Sequence, residues 1–362
     1  MRTIIKLSVR CQRYRDSMQK AIEWVKKAKE VGIIYDFDVD GITSCALLIK
    51  LLEERGVVVR KFAASPRPSF ERNPAFELVK YYPDIAILDI SLTKEDVERF
   101  KDLHVLNIDH HESGLQRSTK NVRIWKHKGA YTPTAKMVFE LAKKMSKTFD
   151  AHDWISAVGV ISDFGGPWHT KFVEDVHKKY NLDKGGDNKF FDSKLGEIAK
   201  VLNAVRTAGD ITRASVAVKA VLECDGPHDF FEARNPKIKL IYRLYTKIQE
   251  RIESELERFK NKAQRSQNRI LFMLKDQHYN IRSTLSTMLS ARLESKTIAV
   301  AEIRNTGYIH ISLRSRSENI LDIIDAVKKQ MDATGGGHKS AAALTIKEED
   351  LGAFKEIYLK RR

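Results

Sequence analysis

Aspartate and histidine gather at three places in the first third of this 362-residue chain: Asp36, Asp38 and Asp40 in DFDVDG, Asp89 in LDIS, and Asp109, His110 and His111 in NIDHHES. Carboxylate oxygens joined by a few imidazoles suit Mn²⁺ or Mg²⁺, and the histidines favour Mn²⁺. A carboxylate such as Asp89 is suited to touch two cations ~3.5–4 Å apart, an arrangement that activates water and neutralises a scissile phosphate without a nucleophilic side chain. In an extended segment residues two apart share a face, so Asp36, Asp38 and Asp40 are expected to project together. A calcium loop is excluded, since no Glu occupies the twelfth loop position. The two histidines cannot both face one point if their segment stays extended. One would ligate and its neighbour would reach the substrate, or the turn would have to be tight. Asp163, after the apolar AVGVI, either joins these donors or caps a turn.

The elements that must position these groups alternate in type. Helical spacing over 16–29, Ala46–Glu54, 74–81 and 93–101 separates the strand-like runs VGIIYDFD (31–38), VVVRKFAA (57–64), DIAILDI (84–90) and HVLNIDHH (104–111). Strands separated by helices predict a parallel sheet covered on both faces, with ligands at the carboxyl ends of its strands. Three of these runs finish in acids or histidines. Acids from three strands at one sheet edge would repel one another unless a cation sat among them.

Helices are predicted at 129–146, 151–162, 195–205 and 212–223, and a long irregular loop at 165–194. A long amphipathic helix over about 238–266 leads into a second α/β region. Its strands are RILFMLKD, TIAVAEIR and GYIHISLRS, its helices 283–294 and 319–330. Gly335, Gly336 and Gly337, followed by His338, Lys339 and a helix-compatible SAAA, read as a turn whose N–H groups can approach an anion. Arg314 and Arg316 share a strand face and are candidate phosphate or base contacts.

Lys and Arg outnumber Asp and Glu by 64 to 48, a net charge of +16 that points to a polyanionic partner. No apolar run approaches a membrane span, and the basic opening lacks the apolar stretch of a signal peptide, so a cytoplasmic protein is expected. Cys11, Cys45 and Cys224 stand too far apart for a zinc site and read as inert core thiols. His169 and His177 lack zincin spacing, and no nucleophile elbow is present.

Together DFDVDGITS (36–44), LDIS (88–91), NIDHHES (107–113) and SDF (162–164) resemble the four motifs of the DHH phosphoesterase catalytic domain. ISLRS (311–315) and GGGHKSAAA (335–343) resemble its C-terminal DHHA1 substrate-binding domain. The resemblance implies an α/β fold with a parallel-sheet catalytic domain over 1–235, a connecting helix over 236–266 and a smaller α/β DHHA1 domain over 267–362. It also implies two Mn²⁺ ions: Asp36 and Asp38 on one, Asp40, His110 and Asp163 on the other, and Asp89 on both. His111 would then lean toward the substrate phosphate, with Asp109 orienting the His pair. His338 and the glycines would grip a phosphate, Arg314 would contact the strand, and nucleic acid would lie between the domains.

Within the family DFDVDG, and LNAVRTAGD at 202–210, are most similar to archaeal RecJ-like single-strand exonucleases; Ile34 stands where oligonucleotide-degrading members place a His. The expected activity is release of 5′-mononucleotides from single-stranded DNA or RNA in repair or replication. A relative associated with the Hef helicase/nuclease would imply that partner and 3′-to-5′ digestion. The alternatives are a short-oligonucleotide or cyclic-dinucleotide phosphodiesterase, a pyrophosphatase, and a non-catalytic replication scaffold of the CDC45 type.

Overall fold

Five apolar runs form one parallel sheet: β1 (Glu30–Asp36), β2 (Val58–Ser65), β3 (Asp84–Leu88), β4 (His104–Asp109) and β5 (Val122–Lys126), in the order β2-β1-β3-β4-β5. They belong to a computed structural model that describes residues 16–65, 74–126, 131–186, 190–274, 278–304 and 306–359. The chain divides into two compact units, one over 1–206 with 210–245 and the other over 207–209 with 246–362.

Successive strand residues face opposite sides of a sheet, and here both sides are apolar. Ile33, Tyr35, Ala86, Leu88, Leu106 and Ile108 enter one core. Ile34, Ile85, Ile87, Val105, Val122 and Ile124 enter another. The first core is closed by helices at 16–27 (α1), Val39–Glu54 (α2), Thr134–Met145 (α4) and Asp153–Ser162 (α5). On the second face pack Ala75 and Leu78 from the 3₁₀ turn Pro74–Lys80, and Phe100, which ends helix α3 (Lys94–Arg99). The order of the strands reverses between β1 and β3, so a crevice is expected outside their carboxyl ends.

The structure departs from the sequence reading in three places in this unit. Helix α2 starts at Val39 rather than near Ala46, because Asp38 caps it and Asp40 occupies its first turn. DFDVDG is therefore a strand end running into a helix start, not an extended triplet. Strand β5 was not anticipated at all; its five residues are short and interrupted by charge. The irregular stretch expected over 165–194 contains the 3₁₀ turn Gly166–Trp168 and helix α6 (Thr170–Lys179). Val173 and Val176 of α6 are buried at helical spacing in the first core. Helices α7 (Lys194–Ala208), α8 (Thr212–Leu222), α9 (Pro227–Phe231) and α10 (Pro236–Lys262) follow, and the division between the units falls within α10.

In the second unit, β6 (Gln264–Ser266), β7 (Arg269–Leu274), β8 (Thr297–Arg304), β9 (Tyr308–Arg314), β10 (Thr334–Gly337) and β11 (Ala341–Lys347) form a sheet ordered β10-β11-β9-β8-β7-β6. All neighbours are antiparallel except β7 and β8. Ile311, Leu313 and Leu344 pack with Ile323, Ile324 and Val327 of α12 (Ile320–Lys328) and with Phe354 and Tyr358 of α13 (Leu351–Leu359). Helix α11 (Arg282–Arg292) completes the unit.

The glycine run is an exposed edge strand, β10, and Ala341 to Ala343 continue into β11 rather than a helix. The expectation of an anion-binding turn backed by a helix is corrected accordingly. Gly335 and Gly337 have φ of 147° and 151°, and a Cβ on either would collide with the β11 backbone. Glycine is therefore required there by strand pairing. Cys45 and Cys224 are buried free thiols, as expected, while Cys11 lies outside the described residues. No helix among the described residues is long and apolar enough to cross a membrane.

Candidate metal centre

Adjacent strands β1, β3 and β4 deliver their acids to one sheet edge. Asp36 ends β1, Asp89 follows the last residue of β3, and Asp109 ends β4. Asp89 has φ of 60°, a left-handed conformation that Asp tolerates better than most residues, while its N–H still donates to the Ile108 carbonyl at 2.9 Å. The chain thus turns sharply after β3 without leaving the sheet. Past Asp36, Asp38 accepts the Gly41 N–H at 3.0 Å and starts α2. A Cβ at position 41 would run into the Asp36 backbone, so the glycine lets α2 begin hard against the end of β1.

The donors fall into overlapping sets. Asp36, Asp38 and Asp89 each offer an oxygen within 4.8 Å of the others, as do the ligand atoms of Asp40, His110 and Asp163, and those of Asp89, His110 and His111. His110 Nε2 lies 3.3 Å from Asp89 Oδ1, 3.3 Å from Asp163 Oδ2 and 4.0 Å from Asp40 Oδ2. Asp89 and His110 therefore connect the groups. The two histidines divide their partners: His110 faces Asp89 and Asp163, while His111 Nδ1 lies 2.6 Å from Asp109 Oδ1 and 3.8 Å from Asp89 Oδ1. A carboxylate only accepts, so Nδ1 carries the proton toward Asp109 and Nε2 becomes the acceptor of the neutral ring.

Burial and mutual repulsion set the electrostatics. Asp40 and Asp89 are each 1% exposed. Burial pushes the Asp40 carboxyl well up, and Asp163 and Asp38 push it further. Burial does the same to Asp89, reinforced by Asp40, Asp38, Asp36 and Asp163. Asp109 takes the other course. Burial would raise it too, but the His111 hydrogen bond and the Lys126 charge hold it below the usual carboxylate range. A buried set of carboxylates that disfavour their own ionisation, with an imidazole between them, fits a pair of divalent cations both in charge and in donor type.

Sequence reasoning missed the groups that hold the donors in place. Lys126, the last residue of β5, faces Asp109 across the β4–β5 register, its Nζ 2.7 Å from Asp109 Oδ2. Lys126 also donates to the carbonyls of His111 and Ser113, and Ser91 Oγ donates to Asp109 Oδ2 at 2.8 Å. The first turn of α4 binds two acids. Thr134 and Ala135 N–H groups donate to the two oxygens of Asp40 at 2.7 and 2.9 Å, and Thr134 Oγ1 donates to Asp89 Oδ1 at 3.0 Å. The helix N-terminus favours those negative charges. Tyr131 donates its hydroxyl to Asp163 Oδ2. Arg206 of α7, within the LNAVRTAGD segment, has Nη1 3.8 Å from Asp38 Oδ2 and remains largely exposed. The available signals were the alternation in VRIWK and the Pro-Thr helix start at 133–134.

In the second unit, Arg314 ends β9 opposite Ala341, the residue that closes the hairpin tip His338–Ala341. Its guanidinium donates to Thr287 Oγ1 at 3.2 Å and Ser283 Oγ at 3.0 Å, both on α11. Arg314 and His338 thus lie at the same end of the sheet. Arg316, expected on the Arg314 strand face, lies beyond β9 and pairs with Glu294.

Two outcomes follow from these electrostatics. Replacing Lys126 by Met strands a buried carboxylate, so unfolding by denaturant should show a loss of about 3 kcal/mol; an unchanged midpoint would contradict the pairing. The raised carboxyls of Asp40 and Asp89 favour the metal-free fold at acidic pH, where they are neutral, and that contribution is lost as pH rises through their folded-state values. Divalent cations need the ionised forms. The rise in Tm on adding Mn²⁺ over EDTA should therefore grow from about pH 5 to about pH 8. A rise that stays constant or shrinks would count against these carboxylates as ligands.

Comparison with known proteins agrees with this geometry. Residues 30–158 match the model of the DHH family, N-terminal domain, and residues 268–360 match that of the DHHA1 domain. No curated protein matches the chain by sequence. Among solved structures, RecJ of Thermus thermophilus in complex with Mn²⁺ superposes with a TM-score of 0.68 at 17% identity, over 95% of this chain and 54% of that one. This chain therefore spans about half the length of the Thermus protein. An exonuclease RecJ bound to manganese gives 0.67 at 19% identity, over 96% and 93% of the two chains. The DHH domain of a protein described as a member of a family of ribosomal proteins gives 0.70 at 16%, over 96% and 91%. This chain therefore carries a DHH-family N-terminal domain followed by a DHHA1 domain, and the acidic cluster shared by the strand ends of the first supports a metal-dependent hydrolase.

Proposed function

We propose that the chain is an exonuclease that hydrolyses phosphodiester bonds of single-stranded DNA or RNA, with two Mn²⁺ or Mg²⁺ ions, and releases 5′-mononucleotides. The observation that carries this reading is the pair of donor sets, Asp36–Asp38–Asp89 and Asp40–His110–Asp163, joined where His110 lies 3.3 Å from Asp89. A net charge of +16, despite so many acids committed to the cluster, favours a long polyanion over a single phosphate. The fold shared with two RecJ structures, both bound to manganese and one described as an exonuclease, supports the same reading. Ile34 is fully buried in the core on the far sheet face and offers no donor where oligonucleotide-degrading members place a His. The likeness of DFDVDG and LNAVRTAGD to archaeal RecJ-like enzymes supports a role in DNA repair or replication, and kinship with the Hef-associated type would add 3′-to-5′ digestion and a Hef-type helicase/nuclease as partner in the cytoplasm.

In the proposed reaction Asp36 and Asp38 would hold one ion, Asp40, His110 and Asp163 would hold the other, and Asp89 would serve both. The bound ions supply Lewis-acid neutralisation of the scissile phosphate and acidify water at neutral pH. The protein groups position everything else. Asp109 holds the His111 ring through Nδ1 and presents Nε2, which can take a proton and, once protonated, donate to a phosphate oxygen. Lys126 keeps Asp109 ionised for that task. Thr134 and the start of α4 fix Asp89 and Asp40, and Tyr131 fixes Asp163. Arg206 is placed to meet a phosphate next to Asp38. Arg314 and the His338 hairpin serve as a further phosphate grip on the second unit.

Asp38 tests the proposal, with one refinement that the structure imposes. Because Asp38 caps α2, Ala would remove a cap as well as a ligand, whereas Asn keeps the cap and removes the charge. Asp38→Asn should keep a Tm near wild type and lose about a thousandfold or more in hydrolysis of single-stranded DNA and RNA labelled at either end, assayed with Mn²⁺. Full activity would remove Asp38 from the site. In the same assay, dinucleotides turned over as fast as strands of about twenty nucleotides would assign the chain to the short-oligonucleotide enzymes instead.

A further inference from the structure

Beside the acidic cluster stand several aromatic rings that face solvent. Tyr131, Phe164 and Trp168 are 36%, 66% and 55% exposed, although each is large and apolar enough to favour burial. They are not scattered. The Tyr131 ring meets His110 edge-on, with centroids 5.1 Å apart, and lies 5.3 Å from Trp168 on its other side. Rings therefore lead outward from a candidate ligand to the surface in two steps. Phe164, the residue after Asp163, lies 5.0 Å from Phe191.

The local chain is built to present these rings. Phe164 takes φ of 58°, a left-handed conformation that is uncommon for a bulky residue and turns the chain immediately after Asp163. Trp168 ends a 3₁₀ turn with Pro167 near its start, and Thr170 Oγ1 donates to the Gly166 carbonyl at 3.0 Å. His169 Nε2 lies 2.9 Å from the Tyr131 carbonyl, tying the tryptophan segment to the tyrosine segment. The Tyr131 hydroxyl is itself held by Asp163. The rings are thus fixed relative to the donors whose chemistry acts on phosphate.

We propose that Tyr131 and Trp168, flanked by Phe164, form a stacking platform for the nucleobase of the nucleotide whose phosphate lies at the metal centre. The inference rests on the nuclease reading above and narrows it to substrates that carry bases. A polyphosphate or pyrophosphate has no flat apolar face to set against an exposed indole. A single-stranded nucleic acid has one at every residue, and stacking tolerates any base. A base paired in a duplex is already stacked and cannot use the platform.

Trp168 also supplies its own reporter. Of the four tryptophans, Trp24, Trp125 and Trp154 are at most 1% exposed, so an added base can reach only Trp168. The experiment uses the full chain and thymidine strands, either intact or with the terminal three residues at both ends abasic. In the Asp38→Asn background with Mn²⁺, intact strands should quench the indole emission and abasic-ended strands should not. Adding Trp168→Ala should abolish the quenching. In the active chain Trp168→Ala should raise KM for intact strands about tenfold, equivalent to ~1.4 kcal/mol, and shrink the preference over abasic ends by the same factor. Trp168→Phe should restore most of that preference. Cleavage by wild type with no quenching, or with a preference unchanged in Trp168→Ala, overturns the platform. Base-dependent quenching without any cleavage would instead overturn the nuclease reading and keep the platform, and neither signal would reject both.

Discussion

Crowding of carboxylates in a space closed to water is the constraint on which this site depends. Asp36, Asp40, Asp89 and Asp109 are all nearly fully buried within one sheet edge and its neighbouring helix start. Charges so placed cannot all ionise unless something compensates them. The chain answers in two ways. Asp109 receives a permanent internal cation in Lys126, together with the His111 hydrogen bond, and stays ionised. Asp40 and Asp89 receive only neutral donors from α4, which orient them but leave their charge to be balanced from outside. Divalent cations would fill that role.

The parallel sheet makes the crowding unavoidable. Its strands all run one way, so acids that end β1, β3 and β4 must meet at one edge, and the reversal of strand order between β1 and β3 is where a ligand crevice is expected. The same geometry brings Lys126 in, since β5 is the next strand beyond β4 and ends level with Asp109. Exposed rings at Tyr131 and Trp168 extend the site outward, so charge chemistry at the bottom and stacking at the rim come from neighbouring segments of one unit.

Much of this was legible in the sequence because residue type and strand pattern coincide. Buried runs such as IAIL and VLNI can be recognised as strands, and acids at their ends point to one edge. The errors have physical reasons. DFDVDG reads as an extended triplet by spacing alone, yet Asp38 is a good helix cap and Gly41 permits a helix against β1, which moves Asp40 onto α2. VRIWK is hard to read as a strand because Arg and Lys interrupt a short run, and with it goes Lys126, the cation that pairs with Asp109 of the DHH segment. The 165–194 stretch looked irregular because its glycines and lysines mask the Val173 and Val176 spacing of α6. Three glycines before His338 suggested an anion loop, but positive φ at Gly335 and Gly337 serves the pairing of an edge strand. Contacts between distant segments, such as Thr134 on Asp89, have no local signature.

The central claim is that this carboxylate edge holds two ions joined through Asp89. Native mass spectrometry of the Mn²⁺-loaded chain measures it most directly. Two ions per wild-type chain, with at most one in Asp89→Asn at the same free Mn²⁺ concentration, is the result predicted. A wild-type chain that binds one ion or none, or an Asp89→Asn chain that still binds two, would contradict it.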